Sequence, residues 1–378
     1  MYNSSKSDSV FGEFLMKITV AMDSFKGSLT SFEAGNAVKC GILKVCPDAE
    51  VTVVPLADGG EGTIDALMPF IHGTPKTITV TGPLGGAVKA DYVFEPFEKC
   101  AYIEMAKASG LTLIKPEEQD PYRASTYGTG ELIRDAIQNG AEKLVICIGG
   151  SATNDGGAGM LRALGARLAD RNGNEILPGA IGLKDLASAD LSDMMGRDLE
   201  ITVACDVTNP LCGPDGASHV YGPQKGATYE QAANMDLWLK HYAQILGSDP
   251  YEQGTGAAGG MSFALKNVLS AIIRPGADIV TEITGAEDLI RNCDMVITGE
   301  GRMDSQTVNG KAPYRIMKLG AKYGKPVYGI TGILGDGYEA CLKAGFDRIM
   351  PLSNPTMVTA EAIKSVTETA RALIEEIR

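Results

Sequence analysis

The chain has 378 residues, is 44% hydrophobic and 21% charged, and carries a net charge of −13 at pH 7. This length exceeds one comfortable hydrophobic core and predicts two domains. The acidic balance argues against nucleic acid or an anionic membrane surface as a partner. No run reaches the roughly 18 to 20 apolar residues of a membrane span. Eight cysteines without a C-x-x-C pair read as free thiols of a cytoplasmic protein, and three histidines are too few and too scattered for a histidine-based metal site. The 46 glycines exceed the usual share of roughly 7% and gather in particular loops, which suggests close backbone approach to ligands.

Residues 1–15 are polar and serine-rich and read as a disordered or artefactual leader. A first strand is predicted over 17–22, followed by an amphipathic helix over 31–46 with Thr30 or Ser31 as N-cap, and a second strand over 51–56. This strand–helix rhythm indicates a parallel sheet covered by helices. Short strand runs at 77–81, 89–94 and 101–105 leave no room for helices and read as an antiparallel meander. Helix and strand signals return at 130–138, 143–148, 156–164 and 200–205, with a long helix over 229–246. Toward the C-terminus, strands at 294–298, 326–330 and 348–351 alternate with helices at 312–323, 338–344 and 359–377. The expected fold class is α/β: a discontinuous Rossmann-like (flavodoxin-like) parallel-sheet domain from 16–75 and 283–378, with a second, mixed α/β domain inserted over 76–282.

Five stretches, four of them glycine-bearing, follow strand signals, where ligands of open α/β sheets bind. In Asp23-Ser24-Phe25-Lys26-Gly27-Ser28, the lysine suits a phosphate, and Asp23 can orient a metal-bound water or the lysine. In Asp58-Gly59-Gly60-Glu61, two spaced acids suit Mg2+ or substrate hydroxyls. The densest stretch, from Gly149 to Gly159, reads as an anion cradle with Gly149, Gly150, Ser151, Thr153, Asn154, Gly156 and Gly157 as its phosphate-binding residues. It is not a Walker A loop and lacks G-x-G-x-x-G spacing, which counts against a nicotinamide-dependent hydroxy-acid oxidoreductase. Asp206, at the end of a strand, suits a base or a metal ligand. Finally, Glu300, Arg302, Asp304 and Lys311 crowd the fourteen positions from Thr298 to Lys311: the arginine suits a carboxylate, the lysine a phosphate, and the two acids Mg2+. A non-catalytic metabolite sensor on the same scaffold is the remaining alternative, and the retained acids and lysines oppose it.

Taken in order, Met22-Asp23-Ser24-Phe25-Lys26-Gly27, Ala57-Asp58-Gly59-Gly60-Glu61-Gly62, Tyr127-Gly128-Thr129-Gly130-Glu131, Gly149-Gly150-Ser151-Ala152-Thr153-Asn154-Asp155-Gly156-Gly157, Cys205-Asp206-Val207-Thr208-Asn209-Pro210 and Thr298-Gly299-Glu300-Gly301-Arg302-Met303-Asp304 resemble the motifs of the type I glycerate kinases. The resemblance runs from about Met16 to the C-terminus. It implies a two-domain α/β enzyme, ATP and Mg2+ as requirements, D-glycerate as acceptor and, for most of the family, 2-phosphoglycerate as product. Chemistry then assigns roles. Asp206 is the expected base with Asp304 second, and Lys26 serves at the catalytic centre. Arg302, Asp58, Glu61 and Asp23 contact substrate, Lys311 and the Gly149–Gly159 backbone hold phosphates, and Glu300 with Asp304 holds the metal. A small-molecule substrate and ATP are the expected partners, and a homo-oligomer is left open.

Overall fold

The computed structural model describes residues 15–57 and 59–378. The predicted leader up to residue 14 and the candidate Asp58 lie outside the described residues. Among the described residues, the strands in chain order begin with β1 (Lys17–Met22), β2 (Glu50–Pro55), β3 (Thr74–Thr81), β4 (Ala87–Glu95) and β5 (Cys100–Glu104). They continue with β6 (Lys143–Cys147), β7 (Arg167–Ala169), β8 (Ser188–Asp190), β9 (Glu200–Ala204) and β10 (Ile272–Arg274). The last are β11 (Met295–Met303), β12 (Val327–Leu334) and β13 (Arg348–Pro351). Two compact units share them: one holds the chain up to Leu56 together with Gly285–Arg378, the other holds Ala57–Thr284.

The first unit is built on a five-stranded, wholly parallel sheet in the order β13-β12-β11-β1-β2. This α/β arrangement is consistent with a Rossmann-like domain. Alternation along β1 sends Ile18, Val20 and Met22 into a core shared with Ala34, Val38 and Ile42 of the helix Ser31–Val45 and with Val366, Ala370 and Leu373 of the helix Thr359–Ile377. Each fully buried Val, Leu, Ile or Met among them contributes about 1.5–3 kcal/mol. The two helices approach closely because position 41 has no side chain: a Cβ on Gly41 would stand 2.3 Å from the Thr367 carbonyl oxygen. The helix Ser31–Val45 starts at the expected Thr30, whose hydroxyl accepts the Glu33 N–H at 3.2 Å while the Glu33 carboxylate accepts the Thr30 N–H at 2.9 Å.

The second unit holds a six-stranded mixed sheet, β10-β9-β6-β5-β4-β3, and a small antiparallel pair, β7-β8. From β10 to β5 the strands are parallel; β4 and β3 continue antiparallel, the meander expected from short strand runs with no room for helices between them. The helix Ala257–Leu269 was not anticipated, because its start is glycine-rich and turns through left-handed backbone at Ala258, Gly259 and Gly260 before becoming regular.

The interior of this unit is pinned by Asp155, which is wholly buried. Its carboxylate accepts the N–H groups of Thr126 at 2.9 Å, Gly157 at 3.1 Å and Gly159 at 3.1 Å. It also accepts the hydroxyls of Thr126 at 3.0 Å and Ser125 at 3.4 Å. One side chain thus ties the start of the helix Tyr127–Gln138 to that of Ala158–Ala163. Asp155→Ala strands these donors in the interior and is expected to cost about 3 kcal/mol of stability or more. Urea unfolding at neutral pH checks this; a loss below about 1 kcal/mol would show that the donors find other partners.

Candidate active site

In the first unit, β1 ends at Met22, paired with Gly299, while β11 runs on to Met303 beside Leu334 of β12. The stretch Glu300–Met303, expected as a loop, is therefore strand, carried past the end of its neighbour. Its glycines concealed this. Gly299 is there because a Cβ would stand 1.8 Å from the Ile330 carbonyl oxygen, a packing demand that a propensity reading does not see. The overrun matters because the strand order reverses between β1 and β11, and open α/β sheets bind ligands at the carboxyl ends flanking such a reversal.

Around this end stand most of the predicted groups of the unit. The Asp23 N–H donates to the Gly299 carbonyl at 2.8 Å, so the segment after β1 leans on β11. The tight turn from Phe25 to Leu29 brings the Lys26 backbone beside Gly301, where an added Cβ would lie 3.6 Å from the Lys26 nitrogen; the Lys26 side chain is exposed. Glu300 is 8% exposed and receives the Thr307 hydroxyl at 2.7 Å and the Lys311 ammonium at 3.4 Å. Asp304 lies 3.4 Å from the Arg302 guanidinium and 3.8 Å from Lys311, and it also accepts the Gln306 N–H at 2.9 Å. Two acids and two bases thus form one nearly neutral cluster. Burial pushes the Glu300 carboxyl above its usual range, opposed by the Thr307 hydroxyl and the Lys311 charge.

The second unit collects a separate group at the carboxyl ends of β6 and β9. Gly59 lies against the end of β9, where an added Cβ would meet the Ala204 carbonyl oxygen at 3.0 Å, two positions before Asp206. The Gly149 N–H donates to the Gly59 carbonyl at 3.3 Å, and a Cβ on Gly150 would lie 3.9 Å from the Glu61 carboxylate. Glu61 also accepts the Thr112 hydroxyl at 3.4 Å. Glu61, Gly150 and Asp206 are exposed and Gly149 partly so, whereas Ser151, Thr153, Asn154, Gly156 and Gly157 are buried. Within the long glycine stretch the Gly156 N–H donates to the Gly259 carbonyl at 3.0 Å and the Gly157 N–H to Asp155 at 3.1 Å. The solvent-facing part is the Gly149–Gly150 turn.

The residues 254–259 do carry the G-x-G-x-x-G spacing, outside the loops singled out by sequence. They follow a helix and a turn instead of a strand, and Gly256 is required by the Pro210 carbonyl oxygen, 2.0 Å from where a Cβ would be. They are packing glycines and not a dinucleotide fingerprint. Sequence reasoning also passed over Glu104, and it included Thr307 in a candidate stretch without giving it a role of its own. Glu104, 1% exposed, accepts the N–H of Gly62 at 3.2 Å and of Ile64 at 2.7 Å, and so holds the loop that carries Glu61. Its signal was a lone acid ending a strand buried at every position.

For a divalent cation, no group of three or more His, Cys, Asp and Glu side chains is gathered to hold one among the described residues. Mg2+ in phosphate-handling sites needs only one or two carboxylates besides phosphate oxygens and water. Glu300 and Asp304, sharing Lys311, fit that smaller donor set.

The fold and its loops define an α/β protein with ionisable clusters at the carboxyl ends of parallel strands, the last of them at a strand-order reversal. The glycerate kinase family model matches residues 18–378, and the chain belongs to that family. It is 45% identical to the Glycerate 2-kinase of Escherichia coli strain K12 over 356 residues, covering 92% of this chain and 93% of that protein. It is 44% identical to the Glycerate kinase of Halalkalibacterium halodurans over 354 residues, covering 92% and 93%. A crystal structure of a Salmonella typhimurium LT2 protein assigned to glycerate kinase 2 superposes with a TM-score of 0.86 at 44% identity, covering 96% of this chain and 98% of that one.

Thr307→Val removes a donor to a desolvated carboxylate, so the Glu300 carboxyl is expected to move further upward. A carbon-13 NMR titration of labelled glutamate checks the shift, and an unchanged Glu300 midpoint would rule out the hydroxyl's part.

Proposed function

We propose that the protein is a glycerate kinase that transfers the γ-phosphate of ATP to a hydroxyl of D-glycerate, with 2-phosphoglycerate as product. The observation that carries this reading is the Glu300–Arg302–Asp304–Lys311 cluster at the strand-order reversal, in a chain of the glycerate kinase family.

Phosphoryl transfer asks the protein for alignment, charge compensation and removal of one proton. Lys311 compensates phosphate charge, its ammonium held by the two acids beside it, and Lys26 adds a second positive charge from its exposed turn. The Gly149–Gly150 turn offers phosphate a surface without side chains, while Ser151, Thr153, Asn154, Gly156 and Gly157 shape the loop from inside. Arg302, whose side chain is 59% exposed, has planar donors left over from Asp304 for the carboxylate of glycerate. Asp58, Glu61 and Asp23 accept its hydroxyls. Asp206 takes the proton from the attacking hydroxyl, with Asp304 the alternative base. Mg2+, held by Glu300 and Asp304, would supply further charge neutralisation on the phosphates.

The order of the five parallel strands, with β1 and β2 on one side and the later strands on the other, supports a flavodoxin-like assignment for the first unit. An inserted second domain agrees with the division of the chain into two units. Eight free cysteines fit a reducing cytoplasm. No described helix is long and apolar enough to cross a membrane.

Phosphorus NMR after incubation with ATP, Mg2+ and D-glycerate is expected to give 2-phosphoglycerate, and ADP formation without a phosphorylated glycerate would overturn the reading. Asp206→Asn is expected to lower kcat at least about a hundredfold, the low end of general-base contributions; near-normal turnover would move the role to Asp304. Lys311→Ala is expected to raise the KM for ATP, and unchanged steady-state constants would remove it from the site.

A further inference from the structure

The second unit contains a lysine that the proposed reaction has not used. Lys225 ends a short turn, Pro223–Lys225, and is 2% exposed, a rare situation for an ammonium group. Its Nζ donates to the Ser151 hydroxyl at 2.8 Å and to the Thr153 carbonyl at 2.7 Å. Neither acceptor carries a formal charge. Asp155 is the charged group that acts on the amine, and that carboxylate is already surrounded by five donors from Ser125, Thr126, Gly157 and Gly159. Tyr242, from the helix Tyr229–Ile245, feels the same carboxylate, and its phenol stays neutral, pushed far up by burial.

The lysine therefore brings a positive charge under the loop without a direct ion pair to cancel it. Above Ser151 the loop surfaces only at Gly149 and Gly150, and Gly150 has a φ of +75°, a left-handed turn without a side chain. The Glu61 carboxylate stands beside it, 3.9 Å from where a Gly150 Cβ would be, so an anion seated on that backbone needs a compensating positive charge. We propose that Lys225 is a positioning residue that forms the positive pole beneath the Gly149–Gly150 turn: it braces Ser151 and Thr153 and compensates an anionic group, the phosphates of ATP, seated on that turn.

This inference rests on the assignment of the turn to phosphate made above. Burial pushes the Lys225 amine down to about 7, so near neutrality part of the population is uncharged. An arriving anion favours the ammonium, and the proton comes from the buffer onto Nζ. For a one-unit rise, roughly half a proton is taken up per site at pH 7.5.

The test is isothermal titration of the full chain with AMP-PNP and Mg2+, and separately with D-glycerate, in two buffers of different ionisation enthalpy. Wild type and Lys225→Met are compared, so that the difference excludes the proton chemistry of the nucleotide itself. The expected result is proton uptake on nucleotide binding that disappears in Lys225→Met, together with an affinity loss of at least tenfold. Equal uptake and affinity in both proteins overturn the proposal. Uptake that accompanies D-glycerate instead, and is lost in the variant, supports the positive pole and overturns the assignment of the turn to phosphate. Circular dichroism checks that Lys225→Met is folded. If it is not, Ser151→Ala is read in its place: altered uptake supports the proposal, and wild-type uptake with wild-type affinity overturns it.

Discussion

A charge withdrawn from water must find its compensation within hydrogen-bond reach, and each unit is arranged around one carboxylate that meets this condition. In the second unit it is Asp155, whose five donors come from two helix starts and leave neither helix free to shift alone. In the first it is Glu300, sheltered by Thr307 and faced by Lys311. The difference lies in solvent access. Asp155 is sealed and saturated, whereas the Lys311 side chain opposite Glu300 is 39% exposed and open to solvent. One carboxylate holds the fold and the other keeps a site adjustable.

The same contrast explains why glycines are so numerous. At Gly41 and Gly299 the missing side chain lets backbone pack on backbone, and at Gly150 it frees a turn to reach the surface in a left-handed conformation. Glycine-rich stretches in this chain are thus two populations, buried packing contacts and exposed turns, which look alike in one dimension. The stretch from Gly149 to Gly159 contains both. Its first two residues meet solvent, while its second half is consumed by Asp155 and Gly259.

Periodicity made much of the architecture legible. The helix Thr359–Ile377 falls where a 3.6-residue period puts it because it buries one face, and the strand Lys17–Met22 falls where a short apolar run puts it because every position after its first is buried. The helix Ala257–Leu269 escaped because it opens in left-handed backbone that no period describes. The Glu300–Met303 strand escaped because Gly299, just before it, answers to Ile330, some thirty residues later, and Gly301 stands against the backbone of Phe25 and Lys26. In the candidate site, charged groups beside glycines were visible as a pattern. Glu104, Thr307 and the bracing contacts of Lys225 were not, since their importance comes from burial and from partners distant in sequence.

The nesting of one unit within the other has a consequence for how the molecule comes into being on the ribosome. The N–H of Lys17, at the start of β1, donates to Asp294, 277 positions later. During synthesis β1 and β2 emerge without the strand that flanks them, while every strand of the second unit finds its neighbours inside Ala57–Thr284. The inserted unit can complete its core while translation continues, and the five-stranded parallel sheet is completed last. Until then the apolar face of β1 and the helix after it form an unfinished surface. That interval is when the nascent protein is most exposed to aggregation and most in need of chaperone cover.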